Sequence, residues 1–231
     1  MMTRAELLAT AKPIVFTTDE VRAILQEQTP KTQIRRPIKP QPPSRAIFNT
    51  IYSCGTAEFK IIVQSDPLID YAKFFKPQSC YKVGDILYVR ETWAEVPSTS
   101  YAQSDNVFSL PTSDKNFVYI YKAGWERCAT AWKPSTDMPK EAARIFLRVT
   151  AVRAERLQNI SPNDICAEGI VSTETHGGIT ANRDTMFDIM NRHGQFVILW
   201  NNRYAKRNGG AYSWESNPWV EVDEFEWVEA K

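Results

Sequence analysis

Histidine is scarce in this chain: His176 and His193 are the whole complement. The four cysteines, Cys54, Cys80, Cys128 and Cys166, stand far apart and form no C-x-x-C pair. These two shortages exclude a zinc site of ordinary ligand spacing, and neither a metal nor another cofactor is expected. There is no glycine-rich phosphate loop, no internal repeat, and no run of about 18 apolar residues that would span a bilayer. The start of the sequence has no apolar signal segment, so a cytosolic protein with reduced thiols and no membrane association is the expectation. An excess of either charge is also missing. Twenty-eight Lys and Arg face 27 Asp and Glu, for a net charge of +1. No global field draws a polyanion, and any electrostatic argument rests on local asymmetry.

Such asymmetry is present within the 231 residues, of which 43 % are hydrophobic. Lys31, Arg35, Arg36, Lys39 and Arg45 occur in one stretch with no acid among them. Toward the other end, Glu215, Glu221, Asp223, Glu224, Glu226 and Glu229 stand against Lys231. The basic stretch has the composition of a surface facing phosphates, and Arg35 and Arg36 suit bidentate contact. The same two arginines are equally suited to pairing with the acidic terminal segment. Both readings stand at this point.

Lys12–Phe16 reads as a first strand. Thr17-Thr18-Asp19-Glu20 fits a capping box, and Val21, Ile24 and Leu25 carry a helix to about Gln28, where Pro30 stops it. The basic segment then leaves as an extended stretch, kept from the sheet centre by Pro37, Pro40, Pro42 and Pro43. Further strands are predicted at Phe59–Val63, Ile86–Arg90, Phe117–Tyr121, Ala143–Val152 and Trp219–Val228, the last with a bulge. Ser161-Pro162 starts a short helix that ends near Glu168 with Gly169 past its end. A second helix spans Asp184–Tyr204, with an interruption at Gly194. Its Phe187, Met190, Phe196, Leu199, Trp200 and Tyr204 are expected in the core. Residues 95–115 and His176-Gly177-Gly178 are expected in loops, and His176 is not expected to be catalytic.

Lys12-Pro13-Ile14, the helix, Lys31-Thr32, and Gly84-Asp85-Ile86-Leu87-Tyr88-Val89-Arg90-Glu91-Thr92-Trp93 together resemble the ASCH-domain proteins of the PUA-like superfamily. The nearest likeness is to the phage and prophage branch, often labelled morphogenetic proteins. Trp132-Lys133-Pro134-Ser135, Met138-Pro139, Ile145–Val152, Leu157–Ile160, Glu168-Gly169-Ile170 and Trp214–Val220 extend the likeness over most of the chain. It implies an α+β fold, a mixed β-barrel decorated with helices. It also implies a single domain, 1–231, with insertions at about 44–80 and 95–125. The implied ligand is RNA or a modified nucleotide, held in a cleft whose floor includes the Lys31 segment. If the chain is phage-encoded, the compartment is a bacterial host's cytosol.

In the amidohydrolase members, the resemblance implies a site made of a lysine, a threonine three residues later, and a glutamate after the long strand. The lysine matches Lys31 and the glutamate Glu168, but the threonine position is Ile34. A hydroxyl nucleophile activated by a desolvated lysine acting as base is sound chemistry, and Ile34 has no hydroxyl. Thr32, two residues back on an extended segment, shares its face but sits about 6–7 Å away. Binding therefore ranks above hydrolysis. The binding reading uses Arg35, Arg36 and Lys39 for phosphate. Arg90, Glu91 and Trp93 at a strand end, with Trp132 and Lys133 in a Pro-flanked loop, are then available for a base. The alternatives are an amidohydrolase or nuclease working through Lys31, Glu168 and Thr32, and a phage factor that binds a host protein. Packing roles compete with each of these: an ion pair for Lys31–Glu168, and a plug for Trp93.

Overall fold

Two sequence signals of one kind set the first helices. Thr3 and Thr17 each accept a hydrogen bond from the backbone N–H three residues on (3.3 Å), while Glu6 and Glu20 reach back to the backbone N–H of the same threonines at 2.7 and 2.8 Å. These reciprocal caps satisfy N–H groups that the first helical turn leaves orphaned. The Thr17 cap was legible in the sequence. The Thr3 cap carries the same T-x-x-E spelling, and the helix it starts was not foreseen.

The computed structural model describes residues 2–27, 30–42, 81–97, 117–125, 130–170 and 186–229, with the backbone of 46–51, 57–61 and 71–75. In chain order these hold α1 (Arg4–Thr10), β1 (Lys12–Val15), α2 (Thr18–Ile24), β2 (Gln33–Pro37), β3 (Ala46–Ile51), β4 (Ala57–Ile61) and β5 (Tyr71–Phe75). There follow β6 (Ile86–Arg90), β7 (Trp93–Pro97), β8 (Phe117–Tyr121), β9 (Phe146–Arg156), α3 (Pro162–Ala167), α4 (Met186–Tyr204) and β10 (Trp219–Val228). The fold is mixed α+β. Among the described residues no strand pairing closes a sheet into a barrel. His176 with its glycines, the loop residues 98–115, and Cys54, Cys80 and Cys128 lie outside the described residues.

The chain divides into two compact units. The first comprises Met1–Glu27, Gly84–Val149 and Phe225–Lys231. In it β1 runs parallel to β6, and β6 pairs antiparallel with the start of β9, Leu87 opposite Leu147. β7 and β8 form an antiparallel pair from Trp93↔Tyr121 to Pro97↔Phe117. A core of Leu7, Tyr88, Trp93, Tyr119, Met138 and Phe146 fills this unit. Burying each such side chain contributes roughly 1.5–3 kcal/mol.

The second unit comprises Gln28–Val83 and Thr150–Glu224. Here β2 pairs antiparallel with β10 in unbroken register from Val220↔Pro37 to Glu224↔Gln33. Among the described residues β2 has β10 as its one strand neighbour, the edge position its flanking prolines predict. β3, β4 and β5 form an antiparallel sheet of their own where one strand was expected. α4 packs Phe196, Trp200 and Tyr204 against Leu157, Ile165, Tyr212 and Val220. The Trp200 indole N–H donates to the Tyr212 carbonyl at 2.8 Å, so the buried indole keeps its hydrogen bond.

Four expectations need correcting. α2 stops at Ile24, not Gln28. β9 begins at Phe146 and runs to Arg156, later and longer than read. α4 passes through Gly194 without a break. Phe187, Met190 and Leu199 are not in the core: they are 62 %, 66 % and 55 % exposed. Helical spacing alone did not separate them from the buried Phe196–Trp200–Tyr204 stripe, because α4 carries apolar residues on more than one face.

Candidate functional site

The pleat of the extended segment leading into β2 sends alternate side chains to opposite sides. Lys31, Gln33 and Arg35 go to one side and are nearly sealed from solvent, at 3 %, 3 % and 2 % exposure. The Thr32 backbone N–H, between them, donates to the carbonyl of Ala167 at 2.9 Å and ties the segment to the end of α3. Glu168 caps that helix, and Gly169, at φ +85°, takes the left-handed position that ends it. Lys31 Nζ then donates to Glu168 twice, to the carboxylate Oε2 at 2.7 Å and to the backbone carbonyl at 2.9 Å. The helix end supplies a carbonyl without an intrahelical partner, and the lysine takes it.

Arg35 adds a second cation to the same carboxylate. Its Nη1 donates to Glu168 Oε1 at 3.0 Å, its Nη2 and Nε donate to Glu155 Oε1 at 2.7 and 3.1 Å, and Asp164 Oδ2 lies 3.4 Å from Nη2. Arg153, from β9, bridges Glu155 Oε2 (3.3 Å), Asp164 Oδ1 (2.8 Å) and Gln33 Oε1 (3.3 Å), and pairs with Glu224. Burial opposes the Asp164 charge, but hydrogen bonds from Ser161 and Gln33 and the Arg35 charge outweigh it and hold its carboxyl at about 2. Three cations, Lys31, Arg35 and Arg153, thus meet four carboxylates, Glu155, Asp164, Glu168 and Glu224. The network is not positive, which is the opposite of what five basic residues in one acid-free stretch suggest.

The other side of β2 has its own charges. Glu221 lies across from Arg36, and Asp223 across from Ile34. Asp223 is fully buried, neither carboxylate oxygen has a hydrogen-bond partner among the described residues, and Arg36 Nη1 is 4.0 Å away. Burial first, and the Glu221 charge second, push its carboxyl up to about 8. The Arg36 guanidinium also sits 5.9 Å from the Tyr81 ring centre, and burial pushes the Tyr81 phenol up despite that charge. Lys39 reaches over the Tyr212 ring at 5.6 Å.

Five of the residues singled out in the sequence belong to the first unit. Arg90 ends β6, and its carbonyl accepts from the Phe16 N–H at 3.1 Å. Glu91 is 1 % exposed and accepts two hydrogen bonds from Arg144 at 2.8 and 2.9 Å; its carboxyl is pushed up by burial against the pull of that arginine. Trp93 is 5 % exposed, edge-on to Tyr119 at 5.6 Å, and the Lys133 ammonium covers its ring at 4.5 Å. Lys133 also pairs with Glu95 at 3.0 Å, and Trp132 packs on Ala94, Val118 and Ile120. The lysine–indole contact fills the place a stacked base would need on that face.

Lys31, Arg35 and Glu168 are therefore brought together, whereas Thr32 is not brought to them: it is exposed, on the alternate face, and Ile34 is buried at 1 %. Sequence reading missed Arg153, Glu155 and Asp164 as partners, while Asp223 belongs to the acidic terminal segment offered as a partner for Arg36. Two had a usable signal, since Arg153 and Glu155 stand two apart on a strand and so share a face. Among the described residues no group of three His, Cys, Asp or Glu side chains is placed to hold a metal, and no helix is long and apolar enough to cross a membrane. What the arrangement offers chemically is a donor and an acceptor side by side. In comparisons with known proteins, no family model, no curated protein and no solved structure matches this chain.

Proposed function

We propose that the chain is a PUA-like, ASCH-type module that binds RNA or a modified nucleotide. In this reading the Lys31–Glu168 pair meets the edge of a base. The observation that carries it is the pair itself: two residues 137 positions apart, joined at 2.7 Å and buried to 2 % and 8 % side-chain exposure. Lys31 uses two of its three N–H donors on Glu168, leaving one, and each Glu168 carboxylate oxygen keeps acceptor capacity beyond its present bond. A donor beside an acceptor complements the amide-like edge of a nucleobase. Arg35 serves as the clamp that holds Glu168, and phosphate contact falls to Arg36 and Lys39.

The test is a binding titration of short single-stranded RNA and of free and acylated nucleosides against the full chain. Lys31→Ala is expected to weaken binding about tenfold or more, as loss of a charged hydrogen bond does. Glu168→Gln keeps the shape and removes the charge, and is expected to weaken binding as well. Unchanged affinity in both variants would sink the reading.

A second reading, hydrolysis of an amide on a modified nucleoside, is favoured by the same pair acting as base and acid. Ile34 has no hydroxyl and that of Thr32 is on the alternate, exposed face, so water would be the nucleophile. Mass-spectrometric turnover on acylated cytidines decides this: product that disappears in Lys31→Ala makes the chain an enzyme, and no product leaves binding alone.

A further inference from the structure

The first unit contains a cavity of about 460 Å3 where β1 and β6 end side by side. The strands are parallel, with Val15 opposite Arg90, and beyond them the chain leaves as α2 on one side and as β7 on the other. Carboxyl ends of parallel strands are where diverging connections open a crevice for a ligand, and the volume lies in the range of small-molecule sites.

The lining defines the chemistry. Lys122 is exposed and makes no ion pair among the described residues; its backbone is fixed by an N–H to the Thr92 carbonyl at 3.0 Å. Arg22 is the second cation, and Asp19, the lining carboxylate, stands 3.2 Å from it. Thr18, Thr92 and Ser135 add three half-buried hydroxyls that have no hydrogen-bond partner among the described residues. An apolar ligand does not match three hydroxyls and three charges. A bare cation does not match two cations against one acid.

We infer that this cavity is a binding site for a phosphorylated sugar, free or as the ribose phosphate of a nucleotide. Lys122 and Arg22 take the phosphate by charge-assisted hydrogen bonds. Asp19 accepts from the sugar hydroxyls, and the threonine and serine hydroxyls complete the polar shell. The site goes beyond the Lys31–Glu168 reading and does not depend on it.

The experiment is calorimetric titration of the full chain with ribose 5-phosphate, adenosine 5′-monophosphate, adenosine and inorganic phosphate. Ribose 5-phosphate and the nucleotide are expected to saturate one site, with adenosine and inorganic phosphate weaker by about tenfold or more. Tighter binding of the nucleotide than of the sugar phosphate marks the ligand as a nucleotide, and equal binding marks it as the sugar phosphate. Lys122→Gln, an exposed change with little effect on folding, should weaken binding about tenfold. Asp19→Asn should weaken the sugar phosphate without weakening inorganic phosphate. Lys31→Ala should leave the ribose 5-phosphate titration as it was, because that probe carries no base for Lys31 to meet. The inference is overturned if no phosphorylated probe saturates, or if Lys122→Gln binds as the parent does. A loss in Lys31→Ala with Lys122→Gln intact assigns the binding to the second unit instead.

Discussion

Arg35 and Arg36 are neighbours in sequence and opposites in role. Arg35 is held by three carboxylates at 2 % exposure, so Arg35→Ala removes one of the two cations on buried Glu168 and one of the two on half-buried Glu155. Breaking a buried pair of this kind costs about 3–5 kcal/mol. Arg36, 21 % exposed and 4.0 Å from its acid, should cost about 1 kcal/mol or less as alanine. Urea unfolding of the two variants checks the difference, and equal losses would contradict the network. Asp223 gives a pH signature. Its carboxyl rises to about 8 on folding, so the folded chain holds a proton that the unfolded chain has released above its ordinary value of about 4. Its contribution therefore declines from about pH 4 to about pH 8, by up to about 1.4 kcal/mol per unit. Asp223→Asn should raise the melting temperature at pH 8 and have a smaller effect at pH 5; a lower melting temperature at pH 8 would refute the assignment. Asp164 runs the other way: its support is present above the ordinary value and is lost as pH falls toward about 2. At this scale the sequence named Lys31 and Glu168 as a pair through the resemblance. It could not say that Arg35 is buried, because a run of cations looks the same whether its partners are phosphates or distant carboxylates.

Among the elements, α3 and α4 are the ones on which the site and the second core rest. The Ser161 hydroxyl accepts from the Asp164 N–H at 3.1 Å and donates to its carboxylate at 2.6 Å, which starts the helix and aims Asp164 at Arg35 and Arg153. Ser161→Ala should cost about 1 kcal/mol, read as a shift in the urea midpoint. α4 separates its apolar residues into a buried stripe and an exposed one. Trp200→Ala, at 4 % exposure, should cost about 3–5 kcal/mol, while Phe187→Ser and Met190→Ser should stay within about 0.5 kcal/mol. If the exposed pair costs as much as Trp200, the helix is packed on both sides. The caps at Thr17 and Ser161-Pro162 and the strand Ile86–Arg90 were legible because each is written in a few adjacent residues, whereas Pro30 did not mark the end of α2. Which face of α4 is buried was not legible, since that is decided by residues outside the helix, Leu157, Ile165, Tyr212 and Val220.

For the molecule as a whole, the sequence pointed to a mixed α+β fold, and that is what forms. The strands were read correctly as elements at β6, β8 and β10, but the pairings were not: the parallel β1–β6 pair and the separate β3–β4–β5 sheet depend on contacts that no local pattern records. The two units each bury their own apolar cluster. In the function proposed above, the second unit reads a base edge through Lys31 and Glu168 instead of clamping phosphate with a basic run. Salt dependence of single-stranded RNA binding tests it most directly, because each phosphate contact contributes a slope of about −0.7 in log affinity against log salt. With Arg36 and Lys39 as the phosphate contacts, affinity should fall only about sevenfold between 50 and 200 mM salt. A fall of about a hundredfold or more over that range would mean that the whole basic run faces phosphate, and would contradict the closed network.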